Sequence, residues 1–404
     1  MSAGRSMVPA RVPSPPVAGA PAASEPRLPA GLRTVLVHDW LTGMRGGEKV
    51  LEALAELFPE APIYTLVHRR GSVTPAIESH PIRVSWLGRL PSAARYYRRL
   101  LPLYPSAMAA MRLPAADLVL SSSHAAAKAV RKPAGATHVV YCHTPMRYLW
   151  DLYPDYFGPG RAGLATRAVM HWVKEPLRHW DVATARGVDH WLANSANVRE
   201  RIRRLYGRES TVLHPFVDLT RFTPASPEVG ERGWSSRRWL VVSALVPYKR
   251  IELAIAAAAR SKQGLDIVGT GPEAARLRRI AAESGADVRF RGWLDEAALA
   301  QAYREAAVCL LPGEEDFGIA PLEAMAAGRP VVAFGRGGAL ETVVPGETGL
   351  FFTDPDPEAL AAAIARASEI DWDPARIRAR AETFSRARFL SRARELLAGY
   401  LASR

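Results

Sequence analysis

The stretch VCLLPGEEDFGIAPLEAMAAGRPVVAF, residues 308–334, predicts the fold of the half of the chain that contains it. Its first four residues form an apolar run, typical of a short buried strand, that ends at a Pro-Gly pair. From Ile319 the pattern becomes helical, with Pro321 in the first turn and Gly328 where a C-terminal cap is expected. A second apolar run follows at once. Strand, loop, helix and strand in this order indicate a doubly wound α/β domain, whose ligand binds at the carboxyl ends of the strands.

Two carboxylates flank this turn. Glu315 lies in the loop and Glu323 lies one turn into the helix, with seven residues between them. The free N–H groups of Gly318, Ile319 and Ala320 at the start of the helix favour phosphate. Acids beside a phosphate site indicate a ligand that also carries hydroxyl groups, such as a sugar or a ribose. The spacing alone leaves a second interpretation open, in which both acids complement the helix dipole and face water.

The same stretch, extended to residue 352, resembles the donor-site signature of retaining glycosyltransferases of family 4, whose fold is named GT-B. The resemblance covers residues 33 to 390 in order. Four further segments are similar to the bacterial O-antigen and polysaccharide mannosyltransferases of that family. They are HDWLTGMRGGEKVLE (38–52), YCHTPMRYLWD (141–151), LANSANVRERIRRLYG (192–207) and SALVPYKRIELAI (243–255).

The resemblance implies two Rossmann-like, doubly wound domains that face a central cleft, with a C-terminal helix crossing back to the first domain. We expect an acceptor-side domain at 31–223, completed by the helix at 385–404, and a donor-nucleotide domain at 238–384. A segment rich in Pro, Gly and Ser, residues 224–237, is interpreted as the linker. Residues 1–30 are rich in Pro, Ala and Ser without a period, which predicts a disordered tail.

The resemblance also implies roles for single residues. Glu315 and His143 contact the transferred sugar, and Glu323 contacts the ribose hydroxyls. Lys249 contacts the donor diphosphate, but Ala244 stands where the family usually has an arginine, and Arg250 is expected to compensate. From the residues alone, a histidine at a strand end, such as His143, more often has a structural role. Lys249 is likewise open to being a solvated lysine at a helix start.

The remaining site residues follow from the same resemblance. Gly46 and Gly47 lie in the loop after the first predicted strand and are expected between donor phosphate and acceptor, although a tight turn alone would also explain them. Arg147 and Tyr148 are placed on the acceptor side. The complete set of predicted donor-binding residues is Lys249, Arg250, Phe317, Gly318, Ile319, Ala320, Glu323, Gly46 and Gly47.

The predicted reaction is the retaining transfer of a hexose to a lipid-linked saccharide or polysaccharide. The expected hexose is mannose, and the expected donor is GDP-mannose. Lys249 and the helix N-terminus would stabilise the leaving diphosphate, so neither a metal nor a further cofactor is expected. A glucosyl, galactosyl or rhamnosyl transferase remains an alternative, as does a catalytically silent module that binds nucleotide sugars. A nicotinamide-dependent oxidoreductase is disfavoured, because the Gly-Thr-Gly at 269–271 lacks the third glycine of the dinucleotide fingerprint.

The positive charge of the chain is concentrated in its first half. Residues 1–200 carry 24 Lys and Arg against 14 acids, whereas residues 201–404 carry 29 against 26, and the net charge is +13. The basic first half predicts an anionic partner, and no nucleic-acid-binding signature accompanies it. Arg95-Tyr-Tyr-Arg-Arg-Leu-Leu101 combines cations with aromatic residues, which predicts contact with an anionic membrane surface. Alternatively, its aromatic side chains pack on their own domain.

The chain has no apolar run that approaches the ~18 residues of a membrane span, and no secretory signal is recognised. Cys142 and Cys309 lie in apolar strand-like contexts and are predicted to be buried thiols. We therefore expect a cytoplasmic protein that associates peripherally with the inner face of the cell membrane. The sequence leaves the oligomeric state open.

Overall fold

The computed structural model describes residues 27–224 and 233–403, which form two parallel β-sheets with helices on both faces. Most of the predicted tail (residues 1–26) and of the predicted linker (residues 225–232) lies outside the described residues. The strands of the first sheet are β1 Thr34–His38, β2 Ile63–Thr65, β3 Ile82–Val84, β4 Leu118–Ser123, β5 Thr137–Cys142, β6 His190–Ala193 and β7 Thr211–Val212. Those of the second are β8 Trp239–Val242, β9 Leu265–Val268, β10 Val288–Gly292, β11 Cys309–Leu311, β12 Val331–Phe334 and β13 Gly349–Phe352.

The helices fall between these strands. In the first half they are α1 Gly46–Glu56, α2 Pro75–Glu78, α3 Ala93–Tyr96, α4 Tyr104–Ala110, α5 Tyr153–Phe157, α6 Leu164–Ala185 and α7 Ala196–Tyr206. In the second half they are α8 Ile251–Ser261, α9 Ala274–Ser284, α10 Glu296–Glu305, α11 Ile319–Ala326, α12 Ala339–Thr342, α13 Pro357–Ser368, α14 Pro374–Glu382 and α15 Arg386–Ala402. Across the described ranges, no helix combines the length and the hydropathy needed to cross a bilayer.

Both sheets have the doubly wound strand order. The first runs β3-β2-β1-β4-β5-β6-β7 and the second runs β10-β9-β8-β11-β12-β13, with every pair parallel. The order reverses between β1 and β4 in the first sheet and between β8 and β11 in the second. Ligands of such sheets bind beyond the strand ends at these switch points. The predicted two-domain GT-B architecture is therefore confirmed.

The central strands are buried along their whole length because helices cover both faces of each sheet. All five residues of β1 and all six of β4 and of β5 are buried, which explains why they are short apolar runs without alternation. The two cysteines lie in β5 and β11 as buried free thiols, as the sequence predicts. Hydrophobic burial in these layers is the main stabilising contribution to each domain.

The last helix, α15, packs on the first domain. The ring of Phe389 lies 6.1 Å from the ring of Tyr141 and 5.2 Å from that of Phe216. The hydroxyl of Tyr400 donates a hydrogen bond to the side chain of Thr211 over 2.9 Å. Since the strands of the second sheet all precede α15 in the chain, the chain crosses back as predicted. The observed helix begins one residue later than the predicted start at residue 385.

The segment predicted to contact a membrane, residues 95–101, lies within a series of short helical turns from Trp86 to Ala110. Tyr97 and Leu101 are buried and belong to the core on one face of the first sheet, where Tyr97 packs 4.8 Å from the ring of Trp40. The apolar part of this segment therefore serves the domain core. The arginines at 95, 98 and 99 remain exposed.

Candidate active site

The loop between β11 and α11 presents its acids to the cleft between the two domains. Gly318 caps α11 with φ of +87°, a conformation that residues with a Cβ rarely adopt. This turn allows α11 to begin at Ile319, with its first N–H groups at the end of β11. The predicted strand, loop, helix and strand is thus observed, and Gly328 follows the helix with φ of +71°.

Lys249 and Glu315 form an ion pair at the second switch point. Lys249 follows β8, and its ammonium group donates to the Glu315 carboxylate that follows β11. The side chains keep only 13% and 15% of their exposure, so the interpretation of Lys249 as a solvated helix-start lysine is wrong. Burial, reinforced by the charge of Arg147, lowers the pKa of Lys249 to about 7.

Glu323 is buried inside α11 and does not face water. Its side chain accepts a hydrogen bond from the hydroxyl of Tyr303 over 2.8 Å, and its other carboxylate oxygen lies 4.0 Å from the ammonium of Lys49 in α1. With Glu315 also paired, the interpretation of the two acids as solvated helix-dipole partners is wrong for both.

The glycine loop of the first domain meets this site across the cleft. A Cβ added to Gly46 would lie 3.1 Å from the side chain of Ile319, and one added to Gly47 would lie 3.6 Å from Nε2 of His143. His143 follows β5, and its Nε2 is hydrogen bonded to the hydroxyl of Ser122 over 2.8 Å. Burial lowers the pKa of His143 well below its ordinary value, so the ring is neutral at pH 7. The structure thus brings Gly46, Gly47, His143 and the start of α11 together.

Three predicted site residues have side chains elsewhere. Phe317 is buried, stacks 5.4 Å from the ring of His214 and packs in the core of the second domain. The guanidinium of Arg250 lies 5.4 Å from the centre of the Phe334 ring and not with the Lys249–Glu315 pair. Tyr148 packs against the core of the first domain. Local order in the sequence placed these residues near the site, but their side chains turn towards apolar layers.

A group of ion pairs that sequence reasoning missed joins the two domains beside Glu315. Asp316 accepts from Arg147 over 3.0 Å and from Arg201, and its carbonyl accepts from the hydroxyl of Ser195 over 2.6 Å. Arg147 also donates to the hydroxyl of Tyr248 over 3.0 Å. Burial acts to lower the pKa of Arg147, but the charge of Asp316 and the neighbouring tyrosines raise it above its ordinary value.

A second contact across the domain boundary involves Glu341, which precedes the end of α12. Its carboxylate accepts from the backbone N–H groups of Ala196 and Asn197, over 2.8 and 3.2 Å, at the start of α7. It also lies 2.8 Å from Nε2 of His214. The partial positive charge at the N-terminus of a helix stabilises a nearby carboxylate. An acid of the second domain thus caps a helix of the first.

An acid and a histidine occupy the switch point of the first sheet. Asp39 directly follows β1 and is fully buried, and its carboxylate accepts four backbone N–H groups of residues 124–127, over 2.6 to 3.0 Å. His124 directly follows β4, and its Nδ1 lies 3.1 Å from that carboxylate. The signal available in the sequence was the polar residue after each of these strands, because β1 and β4 flank the point where the strand order reverses.

The described residues show neither a metal cluster nor a glycine pattern that calls for a dinucleotide. Within the described residues, no group of three His, Cys, Asp or Glu side chains is arranged to hold a metal ion. The glycines of the Gly-Thr-Gly segment are required by packing: a Cβ on Gly269 would lie 1.9 Å from the carbonyl oxygen of Ser243, and one on Gly271 would lie 2.2 Å from that of Leu245. Close approach of two loops therefore accounts for this pattern without a dinucleotide.

Comparison with known proteins agrees with this architecture. Residues 44–221 match the family described as "Glycosyltransferase Family 4", and residues 232–384 match the family described as "Glycosyl transferases group 1". The chain therefore carries one domain that matches each family, and the two matches coincide with the two Rossmann-like domains of its GT-B fold.

Individual relatives match part of the chain. A "D-inositol 3-phosphate glycosyltransferase" of Geodermatophilus obscurus is 36% identical over 205 residues, which are 44% of this chain and 44% of that protein. A "GDP-mannose-dependent monoacylated alpha-(1-6)-phosphatidylinositol monomannoside mannosyltransferase" of Corynebacterium glutamicum is 34% identical over 182 residues, 40% of this chain and 48% of that protein. In each case the chain spans less than half the length of the curated relative that it matches.

Among solved structures, a sucrose-phosphate synthase from Thermosynechococcus elongatus superimposes with a TM-score of 0.71. The match covers 92% of this chain and all of that chain, at 21% identity. At this level of identity the similarity concerns the fold alone.

Proposed function

We propose that this protein is a retaining hexosyltransferase that moves mannose from GDP-mannose to a lipid-linked saccharide or polysaccharide. The carrying observation is the buried Lys249–Glu315 pair at the second switch point, next to the N-terminus of α11. A cation and free N–H groups suit a diphosphate, and the carboxylate beside them suits sugar hydroxyl groups.

In the proposed reaction, Lys249 and the first N–H groups of α11 stabilise charge on the departing diphosphate. Glu315 holds the transferred hexose, and neutral His143 faces the same sugar from the first domain. The Glu323 oxygen nearer Lys49 accepts a hydrogen bond from a hydroxyl of the ribose. No metal is assigned to these steps, since the protein cation and the helix N-terminus supply the positive charge.

The identity of the hexose rests on the relatives. The C. glutamicum protein and a "GDP-mannose-dependent alpha-mannosyltransferase" of Mycolicibacterium smegmatis, 35% identical over 193 residues, both use GDP-mannose by name. The G. obscurus relative is named for an inositol phosphate acceptor. Mannose is therefore the first donor sugar to test, and both lipid-linked and soluble phosphorylated acceptors belong in the assay.

The test is turnover with a panel of GDP-, UDP-, ADP- and dTDP-hexoses, with and without EDTA, in which release of nucleoside diphosphate is measured. Product formed on a lipid extract is then analysed by NMR for its anomeric configuration. Retention with GDP-mannose in the presence of EDTA supports the proposal. Turnover with another nucleotide hexose only would show that GDP-mannose is not the donor. An inverted anomeric configuration in the product would contradict the retaining mechanism. Binding of a nucleotide sugar without any turnover would favour the catalytically silent module.

We further propose that the first domain meets its acceptor at an anionic membrane surface. Large exposed apolar side chains project from the turns after β3 and from α6: Trp86, Leu90, Leu103, Leu164, Val169 and Trp172. Residues 85–112 add five arginines and no acid. Aromatic and aliphatic side chains among cations suit a bilayer interface. We call these six side chains and the arginines at 95, 98 and 99 the basic apolar surface.

A further inference from the structure

We infer that Arg147 is a second cation for the donor diphosphate, supplied by the first domain and held beside Lys249. The inference rests on the function proposed above and deepens it. The resemblance places Arg147 on the acceptor side, so this role comes from the geometry of the cleft.

Arg147 and Lys249 border the same aromatic ring, although they come from different domains. The guanidinium carbon of Arg147 lies 4.8 Å from the centre of the Tyr248 ring, and the ammonium of Lys249 lies 5.2 Å from it. Their side chains keep 25% and 13% of their exposure, so water screens the two charges only weakly. The charge of Arg147 contributes to the lowered pKa of Lys249, which places the two groups within electrostatic range.

Two neighbouring cations in such a cleft repel each other unless anions lie beside them. The structure provides Glu315 for Lys249 and Asp316 for Arg147, and both acids lie in the loop that leads to the N-terminus of α11. A diphosphate at that helix end carries two negative charges and matches both cations at once. Asp316 also pairs with Arg201, so it keeps a partner when Arg147 turns to phosphate.

Beside Lys249, the loop after β8 holds one further basic residue, Arg250. Ala244 has no charge, and the guanidinium of Arg250 lies over Phe334. Arg147 has five N–H donors, of which Asp316, Tyr248 and Tyr156 engage three. Donors therefore remain for phosphate oxygens, and the planar guanidinium suits a bidentate contact with phosphate.

A consequence is that the donor diphosphate joins the two domains. Lys249 and the start of α11 hold it from the second domain, and Arg147 holds it from the first. Donor binding and closure of the cleft then favour each other, because each completes the contacts that the other needs.

The test compares Arg147→Gln with Arg161→Gln. Arg161 is a matched control, because it also reaches from the first domain to an acid of the second, Glu273, over 3.3 Å. Calorimetry with GDP, UDP, ADP and dTDP first identifies the diphosphate that the wild type binds. The three proteins are then titrated with that diphosphate and with its nucleoside. Lys249→Ala serves as the reference for loss of a phosphate contact.

We expect Arg147→Gln to weaken binding of the diphosphate by roughly 10- to 100-fold, as for a lost charge-assisted hydrogen bond, and to leave nucleoside binding unchanged. The Arg161→Gln protein should bind both ligands like the wild type. Wild-type affinity of Arg147→Gln for the diphosphate, or an equal loss for the nucleoside, would overturn the inference alone. If no diphosphate binds the wild type, the proposed function fails and the inference fails with it.

Discussion

At the scale of single residues, the charges of Glu315 and Lys249 neutralise each other in a nearly buried ion pair. Each is the other's partner in a site that keeps about a seventh of their exposure. A donor that binds as proposed must share or replace this pair. The two side chains neutralise each other in the free protein and supply, in our proposal, the sugar contact and the phosphate contact of the donor complex.

A first prediction concerns Glu315. Because its carboxylate is proposed to hold the hexose as charge develops, Glu315→Gln should lower kcat by about 100-fold or more. Removing one partner of a buried ion pair is destabilising, so the unfolding of the variant is measured alongside its kcat. The neighbouring Glu314, which lies 3.4 Å from Arg201 and is more exposed, provides the matched variant Glu314→Gln. Equal kcat for the two variants would remove Glu315 from the mechanism.

A second prediction concerns the protonation of Lys249. Burial lowers its pKa to about 7 in the free protein, and an added diphosphate favours the charged form. Binding of a nucleotide sugar should therefore take up protons at pH 8, and affinity should fall by up to about tenfold for each pH unit above 7. Calorimetry in two buffers of different ionisation enthalpy measures the proton uptake.

Lys249→Arg is the informative variant for this pH dependence, because a guanidinium stays charged throughout the range. It should bind the nucleotide sugar with an affinity that does not change between pH 6.5 and 8.5. Should the variant keep the wild-type pH profile, a group other than Lys249 titrates.

The sequence predicted these residues unevenly. The position of Glu315 and Lys249 at strand ends follows from the apolar runs before them, and their roles followed from the resemblance. The sequence did not predict the ion pair between Asp316 and Arg147, because the two residues are 169 positions apart and meet only when the domains face each other. Phe317 and Arg250 were placed in the site by their neighbours in the chain, whereas packing against His214 and Phe334 turned their side chains away.

At the scale of elements, α11 and α15 were both predictable in outline. The first has a proline near its start and a glycine after its end, and the second was expected from the resemblance. Element boundaries and contacts depended on the tertiary structure. Glu341 is one example: nothing local to α12 indicates that its carboxylate caps α7 of the other domain.

A third prediction tests the crossing of α15. Phe389 is 3% exposed and packs among aromatic residues of the first domain. Phe389→Ala should lower the free energy of unfolding by about 3–5 kcal/mol, the usual cost of such a cavity. The exposed Arg388 on the same helix gives the control Arg388→Ala, expected within about 0.5 kcal/mol of the wild type. Denaturant unfolding measures both, and a Phe389 variant as stable as the control would contradict the packing.

At the scale of the whole molecule, the charge asymmetry of the sequence corresponds to a surface. The basic apolar surface lies on the first domain, and the proposed donor site belongs mainly to the second. The exposed apolar side chains of this surface are those of Trp86, Leu90, Leu103 and α6, whereas Tyr97 and Leu101 of the segment singled out in the sequence complete the core.

A fourth prediction follows for membrane binding. Replacing Arg95, Arg98 and Arg99 with Glu should abolish sedimentation with phosphatidylglycerol vesicles, since each cation near the surface contributes about 1 kcal/mol. Trp172→Ser should weaken it, and calorimetric binding of the donor nucleotide should be unaffected by either change. Trp293→Ser, which alters an equally exposed tryptophan on the second domain, is the control. Wild-type sedimentation of the charge-reversed protein at low salt would refute this surface.

The position of α15 also has a consequence for biosynthesis. Phe389, Ala393 and Leu397 are core residues of the first domain, although they come after the entire second domain in the chain. During translation the first domain emerges early but lacks part of its core until α15 has left the ribosome, and Glu341 must also arrive before α7 is capped. The core of the first domain is therefore completed only after the second domain has been synthesised. A nascent chain stalled before residue 386 would display an unfilled apolar groove, which would mark it for chaperone binding or proteolysis.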